Sequence, residues 1–176
     1  MDRVQPDRGD YEYGYNVTVG YYDQEQQDLD EQNTVLEELW SAYENLTQTE
    51  IRNTLALFLF RGDDVFKPVS VLSGGERARL KLCMLMQDDI NMLILDEPTR
   101  GIDAAARTDV YAIIRQLKES GVAVLMVSSD IEEVVELADR AITVYQGRIN
   151  GEFTHDEITQ DVLTSASFGI VQERTV

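Results

Sequence analysis

The chain has 176 residues, enough for one domain with a sizeable core, and 43% of them are hydrophobic, which excludes a disordered chain. Its 33 acidic and 15 basic residues give a formal net charge of −18, a balance that repels polyanions and argues against nucleic acid or an anionic membrane surface as a direct partner. A single cysteine, Cys83, excludes an internal disulfide and fits a reducing compartment. The opening Met1-Asp2-Arg3-Val4-Gln5-Pro6-Asp7 has no apolar stretch, so no signal peptide is expected. No run approaches the ~18 apolar residues of a membrane helix. The expectation is a cytosolic protein whose membrane link, if it has one, passes through a partner.

Tyr11 to Tyr22 carries β-favouring Tyr and Val broken by Gly14 and Gly20, which predicts short strands with a turn. The tyrosines read as strand packing rather than base stacking, given the charge. Asp23 to Gln32 is a polar connector. Leu36, Leu39, Trp40, Tyr43 and Leu46 then fall at helical spacing, and Thr47 to Glu50 is a capping-box pattern opening a further helix with Ile51, Leu55, Phe58 and Leu59 on one face. Arg61-Gly62-Asp63-Asp64 closes that helix as a turn. The helix-rich stretch from Asn33 to Pro68 reads as an insertion into an α/β body.

From Ile90 the pattern becomes α/β. Met92 to Leu95 predicts a buried parallel strand, Ala104 to Ser120 a helix, and Val122 to Val127 a second buried strand. Asp130 caps a predicted helix from Ile131 to Ala138, with Glu132 and Glu133 placed favourably near its N-terminus. Ala141 to Tyr145 and Arg148 to Phe153 flank Gln146-Gly147 and predict a hairpin. A last helix is predicted from Asp156 to about Phe168, ending near Gly169. His155, the sole histidine, reads as a surface residue, and Cys83 as a packed one.

Two local patterns carry chemistry. Ser73-Gly74-Gly75-Glu76 combines a capping box with glycines that let a backbone approach a ligand, and a helix N-terminus of this kind attracts phosphate. Asp96 falls at the carboxyl end of a buried strand, where α/β sheets place ligand chemistry. A carboxylate there suits Mg²⁺, and Glu97 beside it suits a general base that polarises water. Alone, each pattern is equally an ordinary capped helix or a loop start with solvated acids. In this order, followed by Pro98-Thr99 and Asp103, they point to phosphoryl chemistry. The usual phosphate-cradling G-x-x-x-x-G-K followed by Ser or Thr does not occur in these residues.

Over nearly the whole chain these motifs resemble the ATP-binding cassette superfamily. The resemblance implies an α/β fold: a truncated P-loop NTPase with a parallel-sheet core and an α-helical subdomain. It implies one partial cassette domain over 1–176, with a β segment and Q-loop at about 11–32, a helical subdomain bearing the signature at 33–89, and the α/β core at 90–176. The part from about Tyr13 to Thr99 is similar to the F subfamily, soluble tandem-cassette proteins that act in translation. Gly20-Tyr21-Tyr22-Asp23-Gln24-Glu25-Gln26 and Phe58-Leu59-Phe60-Arg61-Gly62-Asp63-Asp64-Val65-Phe66-Lys67 carry that likeness. From Arg100 onward, Gly101-Ile102-Asp103, Val127-Ser128-Ser129-Asp130 and Gly147-Arg148-Ile149 resemble the second cassette of ribose and autoinducer-2 importers. The two likenesses meet near Asp96 to Thr99, which implies a chain joined from two parents.

By that resemblance Gln24 matches the Q-loop, a contact for Mg²⁺ or the attacking water. Ser73, Gly74, Gly75 and Glu76 match the signature, Asp96 the Walker B aspartate, Glu97 the catalytic glutamate and Asp103 the D-loop. Ser129 falls where many cassettes carry a switch histidine and where sugar-importer second cassettes commonly have serine. ATP and Mg²⁺ are the implied cofactors. The implied partners are another cassette, in a homo- or heterodimer, and a membrane permease at the inner face of the plasma membrane. The implied function is ATP binding and hydrolysis for solute import of the sugar type. The alternatives are a translation-associated role and a non-catalytic dimerisation module.

Overall fold

The computed structural model describes residues 9–10, 12–23 and 29–170. They form two compact units, one running to Val127 and the other beginning at Ser128.

The first unit is built on three parallel strands in the order β1-β2-β3: β1 Val19–Asp23, β2 Met92–Asp96 and β3 Ala123–Val127. β2 is central, with Asp23 beside Asp96 on one side and Val127 beside it on the other. Its apolar run Met92-Leu93-Ile94-Leu95 suits a strand bonded on both edges. Asn91 fixes the register. Its side chain accepts the Thr18 N–H at 3.0 Å and donates to the Asn16 carbonyl at 2.6 Å. One face of the sheet, with Tyr22, Leu93 and Leu95, is buried. The other carries Tyr21, Asp23, Ile94, Asp96, Leu125 and Val127 and stays accessible.

β3 departs from the buried strand predicted for Val122 to Val127. Leu125 is 50% and Val127 55% exposed, because they lie on the accessible face of the sheet; among the described residues no strand pairs with the outer edge of β3. The short strands expected over Tyr11 to Tyr22 reduce to β1 alone. Ahead of it lies a turn in which the Val17 N–H bonds the Gly14 carbonyl and Asn16 takes a positive φ of 93°. Residue 11 lies outside the described residues.

Between β1 and β2 stand the helices α1 Val35–Ala42, α2 Gln48–Leu57 and α3 Gly74–Leu85. Each opens on a complete capping box: Thr34 with Glu37, Thr47 with Glu50, and Ser73 with Glu76. Such a box satisfies two otherwise orphaned donors at once. Val35, Leu39, Ile51, Leu55, Leu80 and Leu82 are completely or almost completely buried. Two backbone bonds, Val35 N–H to the Lys67 carbonyl and Val69 N–H to the Asn33 carbonyl, tie the approach to α1 to the approach to α3. Cys83 is buried, as its place on the α3 face suggested, and burial raises its thiol pKa well above the ordinary range.

α4 Ala104–Glu119 joins β2 to β3, and its N-terminus packs on that of α3. The close approach depends on Gly75: a Cβ there would meet the Ala106 Cβ at 2.4 Å. At Gly74 the nearest atoms to such a Cβ, on Gly101 and Ile102, lie at 3.8 Å.

The second unit contains α5 Ile131–Leu137, the antiparallel hairpin β4 Arg140–Tyr145 and β5 Arg148–Thr154, and α6 Gln160–Ser167. Gln146 and Gly147 both take positive φ, 48° and 75°, as a two-residue hairpin turn of the primed type requires. Ala141, Ile158 and Leu163 form its core, with Ile131, Val134, Val135, Ala138 and Phe153 packed around them. The last helix is shorter than predicted. His155–Glu157 forms a separate 3₁₀ turn, and α6 starts after Thr159, whose hydroxyl caps the Val162 N–H. His155 is exposed, as expected.

Gly75→Ala is expected to lower the unfolding free energy by about 1–3 kcal/mol, the usual cost of overpacking a tight contact. Gly74→Ala is expected to be near neutral. Urea denaturation of the two variants checks this; equal losses would contradict the packing role assigned to Gly75.

Candidate nucleotide site

The N-terminus of α3 is held from two directions. The Glu76 carboxylate accepts the Ser73 N–H at 2.9 Å, and the Ser73 hydroxyl accepts the Glu76 N–H at 3.3 Å. Lys67 reaches the same carboxylate at 3.0 Å and Asp64 at 2.8 Å. Partial burial pushes the Glu76 carboxyl up, but the Ser73 N–H, the Lys67 ammonium and the Ser73 hydroxyl together hold it below its ordinary value. Lys67 is raised by Asp64 first and Glu76 second. The pairs are half-exposed, so they orient the cap more than they stabilise the fold.

Ser73, Gly74 and Gly75 therefore lie at a capped helix start beside Gly101, Ile102 and Asp103. Asp103 caps the neighbouring helix: its carboxylate accepts the Ala106 N–H at 3.0 Å and its carbonyl accepts the Arg107 N–H. Ile102 contributes to both ends. Its side chain faces the two glycines, and its carbonyl accepts from Arg107 Nε at 3.2 Å. The structure thus brings the glycine-rich cap and the Asp103 cap side by side, two helix N-termini whose dipoles favour an anion.

Asp96 and Glu97 stand at the carboxyl end of β2. Asp96 is in register with Asp23, so both side chains belong to the accessible face of the sheet. The Tyr21 hydroxyl, on the same face, donates to Asp96 Oδ2 at 3.2 Å. Glu97 turns sharply out of the strand with φ at 48°, a left-handed conformation uncommon for a residue with a side chain. Its N–H bonds the Val127 carbonyl at 2.9 Å, and its own carbonyl accepts the Arg100 N–H. These bonds hold the strained turn, and strain of this kind gathers at functional positions.

Mg²⁺ takes one or two carboxylates with phosphate oxygens and water. Asp96 with Asp23 beside it supplies such a partial donor set. Among the described residues no three His, Cys, Asp or Glu side chains converge to hold a metal. A cation here would need the rest of its shell from donors outside the described residues.

Near the end of β1 a cavity of ≈ 240 Å³ opens among Tyr21, Asp23, Tyr43, Lys81 and Met84. Tyr43 is fixed by donating to the Met84 carbonyl at 2.9 Å and to Asp88 at 2.8 Å. Burial, then the Asp88 carboxylate, push its phenol well above the ordinary value, so it stays protonated.

Gln24 lies outside the described residues. Ser129 belongs to the second unit, just before the α5 cap, where Asp130 accepts the Glu132 and Glu133 N–H groups. Sequence reasoning missed Tyr21, Lys67 and Ile102. Tyr21 had a usable signal: it lies two residues before Asp23, hence on the same face of the strand.

The sequence model of the ABC transporter family matches residues 4–100. The ATP-binding protein YdiF of Bacillus subtilis (strain 168) is 56% identical over 103 residues, 58% of this chain and 16% of that protein. Ribose import ATP-binding protein RbsA 2 of Rubrobacter xylanophilus is 42% identical over 110 residues, 62% of this chain and 21% of that protein. The chain thus spans only 16% to 21% of the length of these curated relatives. Among solved structures, the ATP-binding cassette MJ0796, a dimer in a post-hydrolysis state bound to ADP and Pi, aligns with a TM-score of 0.62 at 19% identity, covering 79% of this chain and 63% of that one. The ADP conformation of MJ1267, an ATP-binding cassette of an ABC transporter, aligns with a TM-score of 0.66 at 20% identity, covering 86% and 67%. At that identity the likeness establishes the fold.

The lowered Glu76 carboxyl contributes stability that is fully present above its ordinary value near 4.5 and is lost as pH falls through the lowered folded-state value. Thermal melts from pH 6 down to pH 3 should therefore show a steeper acid loss for the native chain than for Glu76→Gln. Parallel curves would contradict the assignment.

Proposed function

The chain belongs to the ABC transporter family, and from that premise we propose that it contributes signature and Walker B elements to an ATP-hydrolysing cassette. Ser73, Gly74 and Gly75 face the phosphates of a nucleotide held by a partner cassette, Asp103 shapes the adjoining loop, Asp96 meets the Mg²⁺ of Mg-ATP, and Glu97 polarises the attacking water. By the family resemblance Gln24 takes the Q-loop role and Ser129 the switch position. Bound Mg²⁺ would supply charge neutralisation at the transferring phosphoryl group. The observation that carries this reading is the pair of abutting caps, Ser73 and Asp103, in one unit with a central strand ending in Asp96 and a strained Glu97.

Residues 1–176 contain no G-x-x-x-x-G-K followed by Ser or Thr. Positioning supplies most phosphoryl-transfer catalysis, so the triphosphate grip comes from a second cassette or another segment, and hydrolysis by these residues alone is weak or absent. The likeness to RbsA 2 favours import of a sugar-type solute through a permease. A second reading, a translation-associated protein, rests on the resemblance of residues 13 to 99 to the F subfamily.

Phosphate release from Mg-ATP, measured on the purified chain with and without a complete RbsA-type protein, tests the proposal. Turnover is expected to rise only on mixing, and Glu97→Gln is expected to remove that increment by about 10²-fold or more, the usual worth of a general base. An increment untouched by Glu97→Gln would leave a binding module. Rapid turnover by the chain alone, abolished by Asp96→Asn, would refute the need for a second phosphate grip.

A further inference from the structure

We propose that Tyr21 is a positioning residue for Asp96, an inference that rests on Asp96 meeting the cation of Mg-ATP. Three features of the sheet single it out. Tyr21 and Asp96 lie on the same accessible face, since Tyr21 is in register with Ile94 and Asp96 follows two residues later. The Tyr21 hydroxyl donates to Asp96 Oδ2 at 3.2 Å across the strand boundary. The in-register neighbours of Asp96 are the carboxylate Asp23, which repels it, and the apolar Val127, which gives it no hydrogen bond. The phenol gives this carboxylate a hydrogen-bond donor on its own face of the sheet.

The consequence is orientation. A carboxylate at a strand end turns about two side-chain torsions, and a donor on one oxygen selects one setting and presents the other oxygen, Oδ1, outward. Partners of this kind around a ligating carboxylate commonly govern cation affinity by tenfold or more. Tyr21 is assigned neither proton transfer nor substrate contact. Its effect passes through Asp96.

Tyr21→Phe removes only the hydroxyl and keeps the ring on the sheet. ATP binding to the purified chain mixed with a complete RbsA-type protein, less that of the RbsA-type protein alone, is measured by calorimetry twice, with Mn²⁺ as the spectroscopically visible stand-in for Mg²⁺ and with EDTA; bound Mn²⁺ is followed by electron paramagnetic resonance. Tyr21→Phe is expected to weaken the Mn²⁺-dependent part of ATP binding about tenfold. Its affinity in EDTA and its melting temperature should stay at the native values. Asp96→Asn should abolish the Mn²⁺ dependence, and adding Tyr21→Phe to it should change nothing more. Native Mn²⁺ dependence in Tyr21→Phe would overturn the positioning role while leaving Asp96 as the cation contact. A native mixture with no Mn²⁺-dependent increment over the RbsA-type protein alone, or an increment that Asp96→Asn leaves untouched, would overturn the underlying reading and this inference with it.

Discussion

The pairing of β2 on both of its edges is the constraint from which the rest of the first unit follows. A strand bonded to β1 and β3 has its backbone satisfied on both edges, and one face of its apolar run, Leu93 and Leu95, is fully buried. Parallel neighbours then bring the carboxyl ends of all three strands to one end of the sheet. Asp23, Asp96 and Val127 meet there in register, and the chain leaves β2 through the left-handed Glu97 turn, pinned by the Val127 carbonyl. The acidic pair is thus delivered by the sheet rather than by a loop.

The second organising contact is the abutment of two helix starts. The α3 cap carries a glycine at position 75 because Ala106 leaves no room for a side chain there. The same glycine that lets a backbone approach a phosphate is here required by packing, so one residue answers to two demands. Lys67 adds a tether, linking the turn before the cap to the cap itself through Glu76. Packing energy and ligand geometry are therefore coupled at this corner. A change that loosens the α3–α4 contact also moves the N–H groups presented to an anion.

Much of this was legible in the residues. The capping boxes at Thr47 and Ser73, the central strand Met92–Asp96, the Asp130 cap and the Gln146-Gly147 hairpin turn all follow from local chemistry that the structure reproduces. What the residues did not disclose depends on neighbours distant in sequence. Val122 to Val127 has the composition of a buried strand, yet β3 lies at an edge, because position in a sheet is set by partners and not by the strand's own pattern. Tyr21 reads as one more β-favouring tyrosine until the register brings it to Asp96 across 75 positions of chain. Leu125 and Val127 in the first unit, and separately Ile142 and Val144 in the second, remain exposed apolar residues.

Native-state hydrogen exchange measures the central constraint directly. If β2 is the doubly bonded strand that organises the unit, the Leu93 and Leu95 amides exchange only through global unfolding, while outward-facing amides of β3 exchange through local opening. Protection at Leu93 and Leu95 no greater than at the free edge of β3 would contradict the account, because Asp96 and Glu97 would then have no rigid strand to hold them.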